Sequence, residues 1–127
     1  YGPFRDAIGS NNLKSSIDKT SYQMNPSNSD EAMREISLDI NEGADMIIIK
    51  PGMPYLDIIY RAKEEFNFPI LAYQVSGEYS MIYHSSNKGY MDYKETILES
   101  LVCFKRAGAC GILSYFSMDV AKILKDI

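Results

Sequence analysis

The chain has 127 residues, 46% of them apolar and 24% charged, which suits one modest globular domain with a real core. A formal net charge of −4 leaves no basic footprint, and this argues against nucleic acid and anionic membranes as partners. No apolar stretch approaches a membrane span and the N-terminus does not read as a signal peptide. The two cysteines, Cys103 and Cys110, make neither a disulfide framework nor a metal-ligand spacing, so both are expected to be buried thiols in a reducing compartment.

Residues 1–27 carry Gly, Pro, Ser and Asn throughout without clean periodicity, and read as a long functional loop. The chain opens there without an initiator methionine, as expected of part of a longer protein. Asn28 or Ser29 caps a helix whose first turn holds Asp30 and Glu31, acids at the positive end of the helix dipole. Met33, Ile36 and Ile40 give it one apolar face, and Gly43 stops it as a left-handed cap. A narrow apolar run over 44–49 then predicts a buried strand that ends at Lys50, with Pro51-Gly52 as the turn after it.

The unit repeats. Pro54-Tyr55 opens a helix with Leu56, Ile59 and Phe66 on one side, and 68–75 is the next strand, its Pro69 near the start where a missing donor is tolerated. Ser76-Gly77-Glu78 turns into a short helix through about His84. Asp92 and Glu95 resemble a capping box for a longer helix carrying Ile97, Leu101 and Phe104, which Gly108 ends. Residues 110–116 form a third strand and 117–126 a last helix. This βα alternation predicts an α/β protein with a parallel sheet covered on both faces. Three such units are too few for an eight-stranded barrel but fit a sector of one; an open doubly wound sheet competes, weakened by the absence of a phosphate-binding glycine fingerprint.

In a parallel sheet all the carboxyl ends lie on one side. Here they carry Lys50, then Gln74-Val75-Ser76, then Ser114-Tyr115, with Arg5 and Lys19 on the N-terminal loop. An amine dried by its neighbours becomes a nucleophile, while serine, tyrosine and arginine bind carboxylates. The placement suggests imine chemistry on an acidic, carbonyl-bearing small molecule. His84 stands alone without a ligand cluster and is expected to be structural. Among the tyrosines, Tyr73 and Tyr79 are the best placed to line the site.

Tyr1-Gly2-Pro3-Phe4-Arg5, Tyr22-Gln23-Met24-Asn25-Pro26, Ile49-Lys50-Pro51-Gly52-Met53-Pro54-Tyr55-Leu56-Asp57, Ala72-Tyr73-Gln74-Val75-Ser76-Gly77-Glu78-Tyr79 and Phe104-Lys105-Arg106-Ala107-Gly108-Ala109 occur in this order. Together they closely resemble the porphobilinogen synthase (δ-aminolevulinic acid dehydratase) family along essentially the whole chain. The resemblance implies the C-terminal portion of a (β/α)8 TIM barrel, with about three βα units over 28–127 and an active-site lid loop over 1–27. It implies a hydro-lyase that condenses two 5-aminolevulinate molecules to porphobilinogen in tetrapyrrole (heme or chlorophyll) biosynthesis, assembled as a homo-octamer through N-terminal arms.

By the same resemblance Lys50 matches the Schiff-base lysine, and Ser76 and Tyr115 match the hydroxyls that bind that substrate's carboxylate. Arg5, Lys19 and Gln23 match lid residues for the second carboxylate, and Glu35 matches the ligand of an allosteric magnesium ion. Residues 11–18 look slightly longer than in some members, which loosens the match at Lys19. The family's second active-site lysine, its oligomerising arm and the segment that decides zinc against magnesium would lie upstream of Tyr1, so the segment alone is expected to be inactive. A cytoplasmic location is expected, or a plastid if a transit peptide lies upstream. Two rivals are another Schiff-base barrel, such as a class I aldolase, and a non-catalytic chain that only assembles or binds ligand. Turnover of 5-aminolevulinate separates the first, and size and activity measured beside the full-length protein separate the second.

Overall fold

The computed structural model describes Pro3 and residues 22–125 of the chain. Its elements follow the alternation expected from the sequence: α1 (Ser29–Asn41), β1 (Ile47–Ile49), a 3-10 turn (Met53–Tyr55), α2 (Leu56–Phe66), β2 (Ile70–Gln74), α3 (Ser76–Asn87), α4 (Tyr93–Ala107), β3 (Gly111–Ser114) and α5 (Ser117–Lys125). Local chemistry sets several of the ends. The Asn28 side chain accepts the Glu31 N–H to start α1, and Asp92 accepts the Glu95 N–H at 2.8 Å to start α4. Gly43 (φ 99°) follows α1 and Gly108 (φ 109°) closes α4, both in the left-handed region.

The strands are shorter than the apolar runs that announced them. β1 begins only at Ile47, whose N–H donates to the Pro69 carbonyl, while Ala44 still donates back to Asp39 of α1. Pro69 has no N–H for the ladder, so β2 starts at Ile70. β3 stops at Ser114 because the Phe116 N–H turns to the Ser114 hydroxyl at 3.1 Å. Helix α3 outlasts its predicted end at His84 by nearly a turn, up to the positive-φ Gly89.

The sheet is parallel throughout in the order β1-β2-β3. Ile47, Ile48 and Ile49 pair with Ile70, Leu71 and Ala72; Leu71, Ala72, Tyr73 and Gln74 pair with Gly111, Ile112, Leu113 and Ser114. Parallel neighbours need crossovers, which α2 supplies for the first pair and α3 with α4 for the second.

Alternation along the strands divides the sheet into two unlike faces. One carries Ile47, Ile49, Ile70, Ala72 and Ile112 and forms the main core with Met33, Ile36, Ile58, Ile59, Ala62 and Phe104 from the helices. Each fully buried Ile or Phe here contributes about 1.5–3 kcal/mol. The opposite face carries Ile48, Leu71, Tyr73 and Leu113, which belong to neither core cluster; Ile48 is 47% and Leu113 40% exposed. The expectation of a sheet covered on both faces is therefore corrected: the described helices pack on one face. A second, smaller core of Ile82, Ile97 and Phe116 joins α3, α4 and the start of α5. Cys103 is half-buried and Cys110 exposed, which corrects the expectation of two buried thiols. Cys110 gives its N–H to Ile70 at 2.8 Å, so its backbone joins the sheet while its side chain stays outside.

Candidate functional site at the carboxyl edge of the sheet

Continuing the register one residue past β1 sets Lys50 level with Tyr73 and Leu113, on the face without helices. Lys50 is exposed there, rather than enclosed as its position after a buried strand suggested, because nothing described packs over that face. Tyr115, in the turn after β3, has the same parity as Tyr73 and Leu113 and is 57% exposed. The Tyr73 hydroxyl donates to the Tyr115 hydroxyl at 3.4 Å. Ser76 is half-buried at the first position of α3, where free backbone N–H groups and the helix dipole favour an anion. An amine, two phenols and a helix-start hydroxyl thus gather at one edge. They can grip a carbonyl covalently and a carboxylate by hydrogen bonds.

Not every predicted residue joins them. Gln74 and Ser114, which stand at the same strand ends, point to the helix side and are tied together there. Ser114 Oγ donates to Gln74 Oε1 at 2.6 Å, and Gln74 Nε2 donates to Ser100 Oγ of α4 at 3.0 Å. The fully buried Gln74 therefore braces the turn that presents Tyr115. Tyr79 lies under Tyr115, ring centroids 5.7 Å apart, and packs on Phe116 at 4.6 Å and Tyr83 at 5.6 Å. The Tyr93 hydroxyl donates to Asp119 at 2.7 Å; burial first, and then that bond and the aspartate charge, push its pKa up to about 12. His84 is exposed against the edge of Tyr83.

Gln23 is half-buried ahead of α1. Glu35 lies on α1, its side chain 43% exposed and ion-paired with Arg34 at 3.3 Å. Arg5 and Lys19 lie outside the described residues. Among the described residues no three His, Cys, Asp or Glu side chains come together as a metal site.

Sequence reasoning passed over Glu78. It is fully buried, and its carboxylate accepts N–H groups from Met53, from Val75 and, at 3.4 Å, from Gly52. A glutamate at the third helical position after a strand end is half of a capping box, a signal that could have revealed the Val75 bond. Its bonds to residues 25 and 26 positions away could not be read locally. Gly52 closes the same joint: its N–H donates to the Tyr73 carbonyl at 2.9 Å, and a Cβ there would stand 2.5 Å from the Phe104 ring. The Lys50-Pro51 peptide that leads into it is cis.

Burial raises the Glu78 pKa above the ordinary 4.5, and the Met53, Val75 and Gly52 N–H groups pull it partly back. Below 4.5 both folded and unfolded chains hold this proton, so it has no effect on stability. Between 4.5 and the raised value only the folded state keeps it, so this group's contribution falls as pH rises and the loss is complete above the folded pKa. Denaturant titrations across that window are expected to show this downward term in the wild type and to lack it in Glu78→Gln.

The family model for Delta-aminolevulinic acid dehydratase matches residues 1–123. Delta-aminolevulinic acid dehydratase of Bradyrhizobium diazoefficiens is 55% identical over 125 residues, 98% of this chain and 35% of that protein. The chloroplastic enzyme of Spinacia oleracea is 50% identical over 98% of this chain and 28% of that protein. The crystal structure of delta-aminolevulinic acid dehydratase (porphobilinogen synthase) from Toxoplasma gondii, in complex with the reaction product porphobilinogen, superimposes with a TM-score of 0.88 at 48% identity, covering 100% of this chain and 36% of that one. The chain thus spans about a third of the length of relatives such as the B. diazoefficiens protein. Matched by the family model over 123 of its 127 residues, it belongs to the delta-aminolevulinic acid dehydratase family.

Proposed function

We propose that this chain supplies an imine-forming lysine and the carboxylate-binding hydroxyls of a porphobilinogen synthase. In the full-length enzyme two 5-aminolevulinate molecules condense to porphobilinogen with loss of two waters, a hydro-lyase reaction of tetrapyrrole biosynthesis. The observation that carries this reading is the register that leaves Lys50, Tyr73 and Tyr115 on one open face at one sheet edge. A sheet with helices on a single face also suits a sector of a (β/α)8 barrel, whose interior the open face would line and whose chemistry sits at the strand carboxyl ends. The relative with porphobilinogen bound supports the substrate class.

In this scheme the neutral Lys50 amine attacks the ketone of one substrate, and the carbinolamine loses water to an imine. Once protonated, the imine accepts electron density and lowers the barrier to carbon–carbon bond formation. Ser76 and Tyr115 hydrogen-bond that substrate's carboxylate and orient it, with Tyr73 beside them. Arg5, Lys19 and Gln23 bind the second carboxylate from a closing lid, and a lysine upstream of Tyr1 holds the second ketone. Glu35, ion-paired with Arg34, would offer its carboxylate to an allosteric magnesium ion, a hard cation that suits oxygen ligands. The steps assigned to Lys50, Ser76 and Tyr115 do not pass through that ion or an active-site zinc or magnesium. Homo-octamer assembly and a cytoplasmic location, with the chloroplast as alternative, complete the proposal. Among the described residues no helix is long and apolar enough to cross a membrane.

Borohydride reduction of the full-length enzyme with 5-aminolevulinate is expected to add the reduced substrate's mass to the Lys50 peptide. An unmodified Lys50 peptide at full turnover would overturn the scheme.

A further inference from the structure

Glu78 is a charge-bearing side chain placed where charge is expensive, with 0% of its surface exposed. Among the described residues no lysine, arginine or histidine forms an ion pair with it. Its partners are backbone N–H groups from two different places. Val75 is the last residue before α3, and Gly52 and Met53 belong to the turn that follows Lys50. The carboxylate therefore joins the tip of β1 to the first turn of α3, and both of its oxygens are engaged. Pro51 and Gly52 are themselves buried, so this turn is held from several sides. Gly52 donates to Tyr73 and abuts the Phe104 ring, and the Met53 sulfur accepts from Gln74 Nε2 at 3.6 Å. The exposed Lys50 thus extends from a turn whose backbone is pinned two and three residues further on.

We propose that Glu78 is a positioning residue: it fixes the Gly52–Met53 turn against the start of α3, and so sets where the Lys50 amine stands relative to Ser76. The inference rests on reading Lys50 as the imine former. Its physical basis is the acceptor count. A carboxylate accepts at both oxygens without rearrangement, whereas an amide in the same place turns an N–H toward a buried N–H, losing either the Met53 bond or those of Val75 and Gly52 and leaving those donors unsatisfied. The fold has other holds on this region, including the β1–β2 ladder and the main core. Losing the bond is therefore expected to loosen the turn more than the whole domain.

The test uses the full-length enzyme carrying Glu78→Gln or Glu78→Asp. Three quantities are read: thermal stability, amide exchange at Met53 and Val75, and the rate at which borohydride traps 5-aminolevulinate on Lys50 at saturating substrate. Glu78→Gln is expected to stay folded, to exchange the Met53 or Val75 amide about tenfold faster, and to trap substrate on Lys50 about tenfold more slowly, with apparent substrate affinity changed less than about twofold. Glu78→Asp, which keeps the charge but withdraws it by one methylene, is expected to fall between. A purely structural role would lower stability and leave the trapping rate at saturation unchanged, and that result overturns the inference. Should Glu78→Gln not fold, Glu78→Asp decides on the same criterion. If the wild type itself carries no label on Lys50, the imine reading fails and this inference with it. A labelled wild type with an equally fast, folded Glu78→Gln refutes the role of Glu78 alone.

Discussion

Replacing Lys50 with methionine in the full-length enzyme is expected to lower turnover of 5-aminolevulinate by about 10⁴-fold, about 5.5 kcal/mol of transition-state stabilisation. The substitution removes the one atom that can form the imine and keeps most of the stem's length. Because Lys50 belongs to neither core cluster and methionine keeps most of its apolar stem, the fold should register the change by no more than about 1 kcal/mol. Steady-state kinetics with a denaturant titration of the same sample checks both halves. The scheme predicts a loss in turnover with nearly unchanged stability. A variant that retained even a tenth of the activity would remove Lys50 from the chemistry.

Phe104→Ala is expected to do the reverse, costing about 3–5 kcal/mol of stability. The ring has 0% exposure in the main core and lies where a side chain on Gly52 would have to go. Deleting it removes buried area and leaves a cavity between α4 and the turn after β1. Ala62, Ile59 and Ile70 of the same core are themselves fully buried and have little room to collapse inward. Chemical denaturation measures the loss. Phe104→Leu, which keeps much of the volume, should lose less than half as much. A Phe104→Ala enzyme as stable as the wild type would show that this core is not what holds the turn bearing Lys50.

Each side chain that caps its own helix acts within three or four residues, so Asn28 and Asp92 read as helix starts, and Gly43 and Gly108 as stops, from the residue order alone. The apolar runs identify the strands, and the βα alternation implies parallel pairing, which the register bears out. The exact strand ends escape such a reading because the hydrogen-bond ladder, not apolarity, defines them. Pro69 cannot donate, and the Phe116 N–H finds the Ser114 hydroxyl instead of a neighbouring strand.

The site is legible only in part. Lys50, Ser76, Tyr73 and Tyr115 can be named from strand-end position and family motifs. Gln74 stands at a strand end yet does not share the Lys50 face, because strand alternation holds to the end of β2: with Ile70 and Ala72 it points to the helices. Glu78 escapes a sequence reading because its meaning lies in the Gly52 and Met53 N–H groups, which only folding brings to it.

From the order of amino acids alone came the α/β alternation, the helix caps, the family and the amine at a strand tip, since each depends on short-range periodicity or a contiguous motif. Folding in three dimensions decided that the described helices gather on one face of the sheet, that Gln74 and Ser114 brace a turn rather than line a pocket, and that a buried carboxylate clamps the segment after Lys50. Those outcomes depend on contacts between residues some 25–40 positions apart, and no local pattern encodes which distant N–H will meet which oxygen.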